Sequence, residues 1–244
     1  MPTTPRAATA FSIRRPPKRT LVRSLVALRL RLLVALRVPA LVTMLAVALV
    51  AVVPTQAARA VPVNERATQW IAVTSREVAL ELRAVRDLPE SETRHVAGRQ
   101  IAELAGLVAY LLDADPEALR TVWFATPVQR KIAMFSALSQ VGVQYKLNAD
   151  APFIALDCSS LTMFAWAQAG VQIERGSAQQ YARATRVSRD EVQAGDLVWY
   201  PGHVMMSLGM PELIVHARSG ERAVEVHRIN STRLSWMRWV SPIG

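Results

Sequence analysis

The chain has 244 residues, 51% of them hydrophobic, and a formal net charge of +10 at pH 7. The surplus is concentrated: nine of the 29 basic residues and none of the 19 acidic ones precede residue 38. The remainder is close to balanced, so the charge belongs to a leader and not to a folded basic face, and nucleic-acid binding loses its main support.

After the leader, Val38 to Val53 is a run of 16 residues without a charge. It is shorter than the roughly 20 residues of a transmembrane helix and slightly longer than the ~7–15 of a signal-peptide apolar segment. Ala58-Arg59-Ala60 then has the small-x-small form that a signal peptidase accepts. Residues 1–60 are read as an export signal, which puts the protein in the cell envelope or outside the cell. Membrane contact is expected only through residues 38–53, should the signal stay uncleaved.

Residues 61–125 are expected to form a helical hairpin. Trp70, Ile71, Thr74, Val78, Leu82 and Val85 recur at helical steps, and Asp87-Leu88-Pro89 breaks the run. Val96, Ile101, Leu104, Val108 and Leu111 make a second stripe, and Asp115-Pro116 caps a third, shorter helix. No chemistry is visible here, and His95 reads as a solvated residue. The pair suits a spacer or a docking element.

A second unit is expected over residues 126–244. Thr126-Pro127 reads as another cap-plus-proline start, for a helix burying Val128, Ile132, Phe135 and Leu138. Asp157 is a strong N-cap for a helix running to Ala169, with Gly170 as its stop. A shorter helix follows near residues 178–184. From Leu197 the texture changes to short β runs divided by Pro201-Gly202, Gly209-Met210-Pro211 and Ser219-Gly220. Helices first and an antiparallel meander afterwards is α+β order.

Cys158 is the sole cysteine, so no internal disulfide can form. Placed just after the Asp157 cap, it meets the unpaired N–H groups and dipole of a helix start, which are expected to lower a thiol's pKa. The plain alternative is a small apolar residue filling a helix end. His203 and His216 fall on consecutive predicted strands, where an antiparallel register can bring both to one face. One imidazole can then take the thiol proton while a second polar group holds its tautomer. His227 lies on a later strand beside Glu225 and Arg228 and receives no role. Zinc needs closely spaced ligand pairs, which the chain lacks, and glycine-rich phosphate loops are absent too. No metal or cofactor is expected.

The ordered fragments are Gly142-Val143-Gln144-Tyr145, Asp157-Cys158-Ser159-Ser160, Gly170 through Arg175 to Gln180, Ala194-Gly195-Asp196-Leu197, Gly202-His203-Val204, and Ile214-Val215-His216-Ala217. This order resembles the NlpC-type cell-wall peptidases, a branch of the papain-like cysteine peptidases. The resemblance implies a papain-like core of helices on an antiparallel sheet, preceded by the helical hairpin. It implies that Cys158 attacks the scissile carbonyl, His203 is base and then acid, and His216 orients His203. Tyr145 and the Cys158 N–H would stabilise the oxyanion. Asp157, Ser159 and Ser177 match positions that contact the stem peptide in relatives, whereas Arg175 reads as a solvated loop residue. The implied substrate is the peptidoglycan stem peptide, cut between D-glutamate and the diamino acid, without a cofactor. Lys146-Leu147-Asn148 replaces the usual Trp-Gly-Gly, and Met205 replaces a glycine, narrowing the expected cleft. A non-catalytic wall-binding module is the alternative.

Overall fold

The computed structural model describes residues 63–93, 95–220 and 222–244. The expected export signal, with residues 38–53 and Ala58 to Ala60, lies outside them. Helix α1 spans Val63–Val85, α2 Glu90–Thr93, α3 Gly98–Leu112, α4 Pro116–Ala125 and α5 Val128–Leu138. Three short strands follow: β1 Gln144–Tyr145, β2 Asp150–Ala151 and β3 Ala155–Leu156. Next come α6 Cys158–Gln168, α7 Ser177–Arg183, β4 Thr185–Val187, β5 Ala194–Tyr200, β6 His203–Leu208, β7 Leu213–Ala217 and β8 Val224–Arg228. Helix α8, Ser231–Leu234, and β9, Arg238–Ser241, complete the chain. Among the described residues no helix is long and apolar enough to cross a membrane.

Strands β4 to β9 form one antiparallel sheet in the order β4-β9-β5-β6-β7-β8, and β1-β3-β2 make a separate small one. Side chains alternate across the large sheet. Leu197, Val204, Met206 and Val215 face the helices and join a core with Phe135, Leu161 and Trp166. Val198, Met205, Ile214 and Trp239 fill a second cluster on the other face with Leu234 and Met237. The α+β class is as expected. Met205 is buried in this second cluster.

The N-terminal helices share the first core, where Ile71, Val78, Leu82, Ile101, Leu104 and Val108 are buried. Trp70 and Leu111 were expected on the inner stripes but are exposed, at 37% each. Ser75 and Leu112 are buried instead, because tertiary packing selects which flank of a broad apolar stripe turns inward. Thr126 does not cap α5. Its hydroxyl donates to Val122 O, closing α4, and Pro127 stands at the α5 N-cap. Asp115 behaves as expected, accepting from the amides of Glu117 and Ala118.

Two interactions tie the helices to the sheet. Arg130 on α5 reaches Asp196 on β5 at 2.6 Å and the Ser241 hydroxyl at 2.8 Å. Trp166 on α6 donates its indole N–H to Gly195 O at 3.1 Å. Gly195 has φ +89°, and a Cβ there would lie 3.2 Å from the Trp166 ring, so only glycine fits the close approach. Both members of the Arg130–Asp196 pair are almost fully buried, and removing one leaves the other as an uncompensated charge. Asp196→Ala is expected to lower unfolding stability by about 3–5 kcal/mol, read as a fall in the urea midpoint. A change near zero would mean that water or another group satisfies Arg130.

Candidate active site

Asp157 builds the start of α6. Its Oδ1 accepts from the Ser160 amide at 2.8 Å, while the Ser160 hydroxyl accepts from the Asp157 amide at 2.9 Å, a reciprocal capping box. Cys158 is thereby held at the first helical position, 9% exposed.

Arg175 is not a solvated loop residue as expected. Its Nη2 meets Asp157 Oδ2 at 2.8 Å, its Nη1 meets Asp157 Oδ1 and Ser159 Oγ at 3.0 Å each, and Nη2 also donates to Ala149 O at 3.2 Å. Burial works to raise the Asp157 carboxyl, but Arg175 and Ser160 outweigh it and hold it below the usual carboxylate range. Asp157 and Ser159, expected at the substrate, are thus engaged within the protein. Ser177 opens α7 and is half-buried. Gln180 secures the segment between α6 and α7: it accepts from Thr162 Oγ1 at 2.7 Å and donates to Ser159 O at 2.9 Å and Glu174 O at 2.7 Å.

Tyr145 arrives from the other side. The amides of Gly142 and Tyr145 donate to Val224 O and Arg222 O at 2.8 Å each, laying this segment along β8. Gly142 has φ +91°, and a Cβ there would meet Thr68 of α1 at 3.1 Å. Burial, with the nearby Cys158 and Asp157, pushes the Tyr145 phenol up. It remains a protonated donor at neutral pH.

His203 is the first residue of β6, directly after the Pro201-Gly202 turn, and His216 lies on the neighbouring β7. Their imidazoles meet, Nε2 of His203 to Nδ1 of His216, at 2.9 Å. The expectation that register brings both to one face is realised. Burial lowers His203 to about 4. Burial and the adjacent His203 lower His216 as well, so both rings are neutral at pH 7.

The thiol departs from expectation in direction. Burial pushes it up, aided by the Asp157 carboxylate. The N–H groups of Val204, Ser159 and Cys158 itself oppose the shift without cancelling it. Helix-start donors are present, but a sulfur so little exposed loses more solvation than they return. Among the described residues no hydrogen bond joins Cys158 to His203; the nearest support from β6 is the Val204 amide. At neutral pH the sulfur is a thiol and both imidazoles are neutral.

One member of this constellation escaped the sequence reading. Glu225 on β8 stands opposite His216 in the β7–β8 register. Its Oε1 lies 3.6 Å from His216 Nε2, and the carboxylate is held by Arg218 at 2.9 Å and Arg222 at 3.3 Å. The His227 ring is 5.7 Å from that of His216. Period-two spacing along β8 was the available signal, but it needed the cross-strand register to be useful.

The site thus sets a cysteine at the mouth of a helix laid on an antiparallel sheet, with paired histidines on two of its strands. Residues 142–239 match the NlpC/P60 family model. The probable endopeptidase p60 of Listeria seeligeri is 32% identical over 96 residues, covering 37% of this chain and 18% of the relative. A probable endopeptidase of Corynebacterium glutamicum is 35% identical over 98 residues, covering 39% of this chain and 46% of the relative. The chain therefore spans less than half the length of either. An NlpC/P60 family protein from Bacillus cereus, seen by crystallography, is similar at 21% identity and TM-score 0.43, covering 47% of this chain and 40% of the other.

The pH dependence of Cys158 alkylation by iodoacetamide checks the resting state. Reactivity is expected to climb only above the ordinary thiol value of about 8.5. An inflection at or below pH 7 would mean a preformed thiolate–imidazolium pair.

Proposed function

We propose that residues 142–239 and the helices packed on them form an exported bacterial cysteine endopeptidase that hydrolyses peptidoglycan stem peptides, at the D-glutamyl–diamino acid bond. The observation that carries this reading is the 2.9 Å His203–His216 bond, on strands that adjoin the helix bearing the only thiol. It occupies Nε2 of His203 and leaves Nδ1 for a proton.

Since the pair rests neutral, attack and proton transfer belong to one step. Cys158 Sγ bonds to the scissile carbonyl carbon as its proton passes to His203 Nδ1. The Tyr145 hydroxyl and the Cys158 amide donate to the oxyanion. Collapse breaks the C–N bond, and the His203 imidazolium protonates the leaving amine. A water deprotonated by His203 then cleaves the thioester and restores the thiol. His216 keeps His203 oriented throughout. Asp157, Ser159 and Ser177 border the peptide, with Arg175 fixing the first two. No cofactor takes part, and the helical N-terminal segment is the surface for other cell-wall proteins.

A second reading is a non-catalytic peptidoglycan-binding module. It draws on the missing Cys158–His203 hydrogen bond and the upward shift of the thiol. Incubation with muropeptides separates the two. The peptidase is expected to release stem fragments, and Cys158→Ala to abolish release while retaining binding. Equal release by both proteins, or binding without any release, would defeat the hydrolase.

The acid limb gives a further check. His203 must be neutral to act as base, and its value of about 4 lies well below the ordinary histidine range. Activity is expected to persist at pH 5 and to fall as pH drops through about 4. An acid limb near the unperturbed histidine value of about 6.5 would mean a more solvated imidazole than this site holds.

A further inference from the structure

We infer that Glu225 is a positioning residue that selects the tautomers of both imidazoles and so leaves Nδ1 of His203 bare for the thiol proton. The inference deepens the hydrolase reading and rests on it for its catalytic consequence, but the tautomer assignment can be tested by itself.

Proton counting separates two arrangements of the pair. Two neutral imidazoles in contact at 2.9 Å share one N–H between His203 Nε2 and His216 Nδ1. If His216 donates, its Nε2 carries a lone pair, and His203 carries its proton on Nδ1. The base is then blocked at the one nitrogen that could receive the thiol proton. If His203 donates, His216 holds its proton on Nε2, and His203 Nδ1 is bare. The two arrangements place opposite groups in front of Glu225.

His216 Nε2 is buried and has no hydrogen-bond partner among the described residues. The acceptor facing it is Glu225 Oε1 at 3.6 Å. That distance is beyond a hydrogen bond but well within the range where charge selects between a lone pair and an N–H. Glu225 is anionic: burial works to raise it, but Arg218, Arg222 and the His216 side chain hold it below the usual range. A carboxylate repels a lone pair and attracts an N–H, so it favours the Nε2–H form of His216, and through the shared bond the Nε2–H form of His203. Other charges near the pair are Arg218 just after β7 and Arg222 just before β8, both tied to Glu225, with His227 on β8 and Arg233 on α8 further out. None of them accepts a hydrogen bond from His216.

The same contact works during the reaction. When His203 gains the thiol proton, its positive charge lies two steps from Glu225, and the 3.6 Å gap closes to a charge-assisted bond without proton transfer to the carboxylate. The His216 ring is carried between the two, as in other chains where an outer carboxylate sets imidazole orientation.

The test is long-range 1H–15N correlation spectroscopy of the histidines in the 15N-labelled full chain at pH 7. The wild type is expected to show Nε2–H tautomers for His203 and His216. Glu225→Gln keeps the shape but removes the charge, and is expected to move both rings toward Nδ1–H or to an exchange mixture. On muropeptides it is expected to lower kcat by about 10–100-fold with little change in KM. An Nδ1–H wild type overturns the inference at once, and does so even if Glu225→Gln fails to fold. Unchanged tautomers in a folded Glu225→Gln also overturn it. A tautomer shift in a protein that never cleaves muropeptides supports the tautomer role and removes the hydrolase reading.

Discussion

The site depends on how one buried carboxylate is paired. Asp157 is 4% exposed, and a charge so enclosed persists only with partners that replace its water. It finds them in three directions at once: the Ser160 amide, both Arg175 nitrogens and, through Arg175, the Ala149 carbonyl. These bonds fix the first turn of α6, the segment between α6 and α7, and the stretch after Tyr145 in one frame. Cys158 is positioned by that frame, with its sulfur packed in the core against the Val204 amide.

The arrangement carries an electrostatic consequence. A permanent anion one residue before the thiol opposes a second negative charge, and burial opposes it further. Under the proposed mechanism, the Cys158 amide is therefore of most use when charge passes from sulfur to a carbonyl oxygen. A site that stores no thiolate at rest still offers fixed dipoles to the developing oxyanion, and preorganised donors act without reorganisation at that moment. The neutral histidine pair fits the same logic. Under the proposed mechanism, buried imidazoles that resist protonation in mild acid stay available as a base, and Glu225, held in place by Arg218 and Arg222, offsets part of the cost of making an imidazolium.

Local chemistry was legible in the sequence and distant pairing was not. Asp157 as a cap, Cys158 behind it, Gly170 as a stop, and the bounds of β6 and β7 all follow from short-range rules, and each stands where those rules put it. The α+β order was readable for the same reason. Arg175 reads as loop because its partner lies 18 residues away, on the far side of helix α6. Glu225 is invisible until β7 and β8 are paired in register. The direction of the thiol shift failed because helix-end electrostatics can be read from a motif, while the depth of burial depends on packing from α5 and the sheet. Thr126 failed through competition: its hydroxyl serves equally the helix behind it or the one ahead, and the carbonyl of Val122 was nearer.

The segment before residue 142 also matters to the site, although the family match begins there. Ile71, Val78 and Leu82 of α1 are essentially unexposed and belong to the same core as Phe135 and Trp166. Gln140, fully buried behind α5, accepts from the Phe153 amide at 2.7 Å. It thereby holds the turn between β2 and β3, where Phe153 sits at φ +67°, a conformation that a bulky residue keeps only when its surroundings impose it. That turn leads within four residues to the Asp157 cap. Swinging α1 away as a detachable lid would expose its buried leucine and valine face, at roughly 1.5–3 kcal/mol for each large side chain. The helices consequently act as a wall that keeps the Tyr145–Asp157 segment in place beside α6.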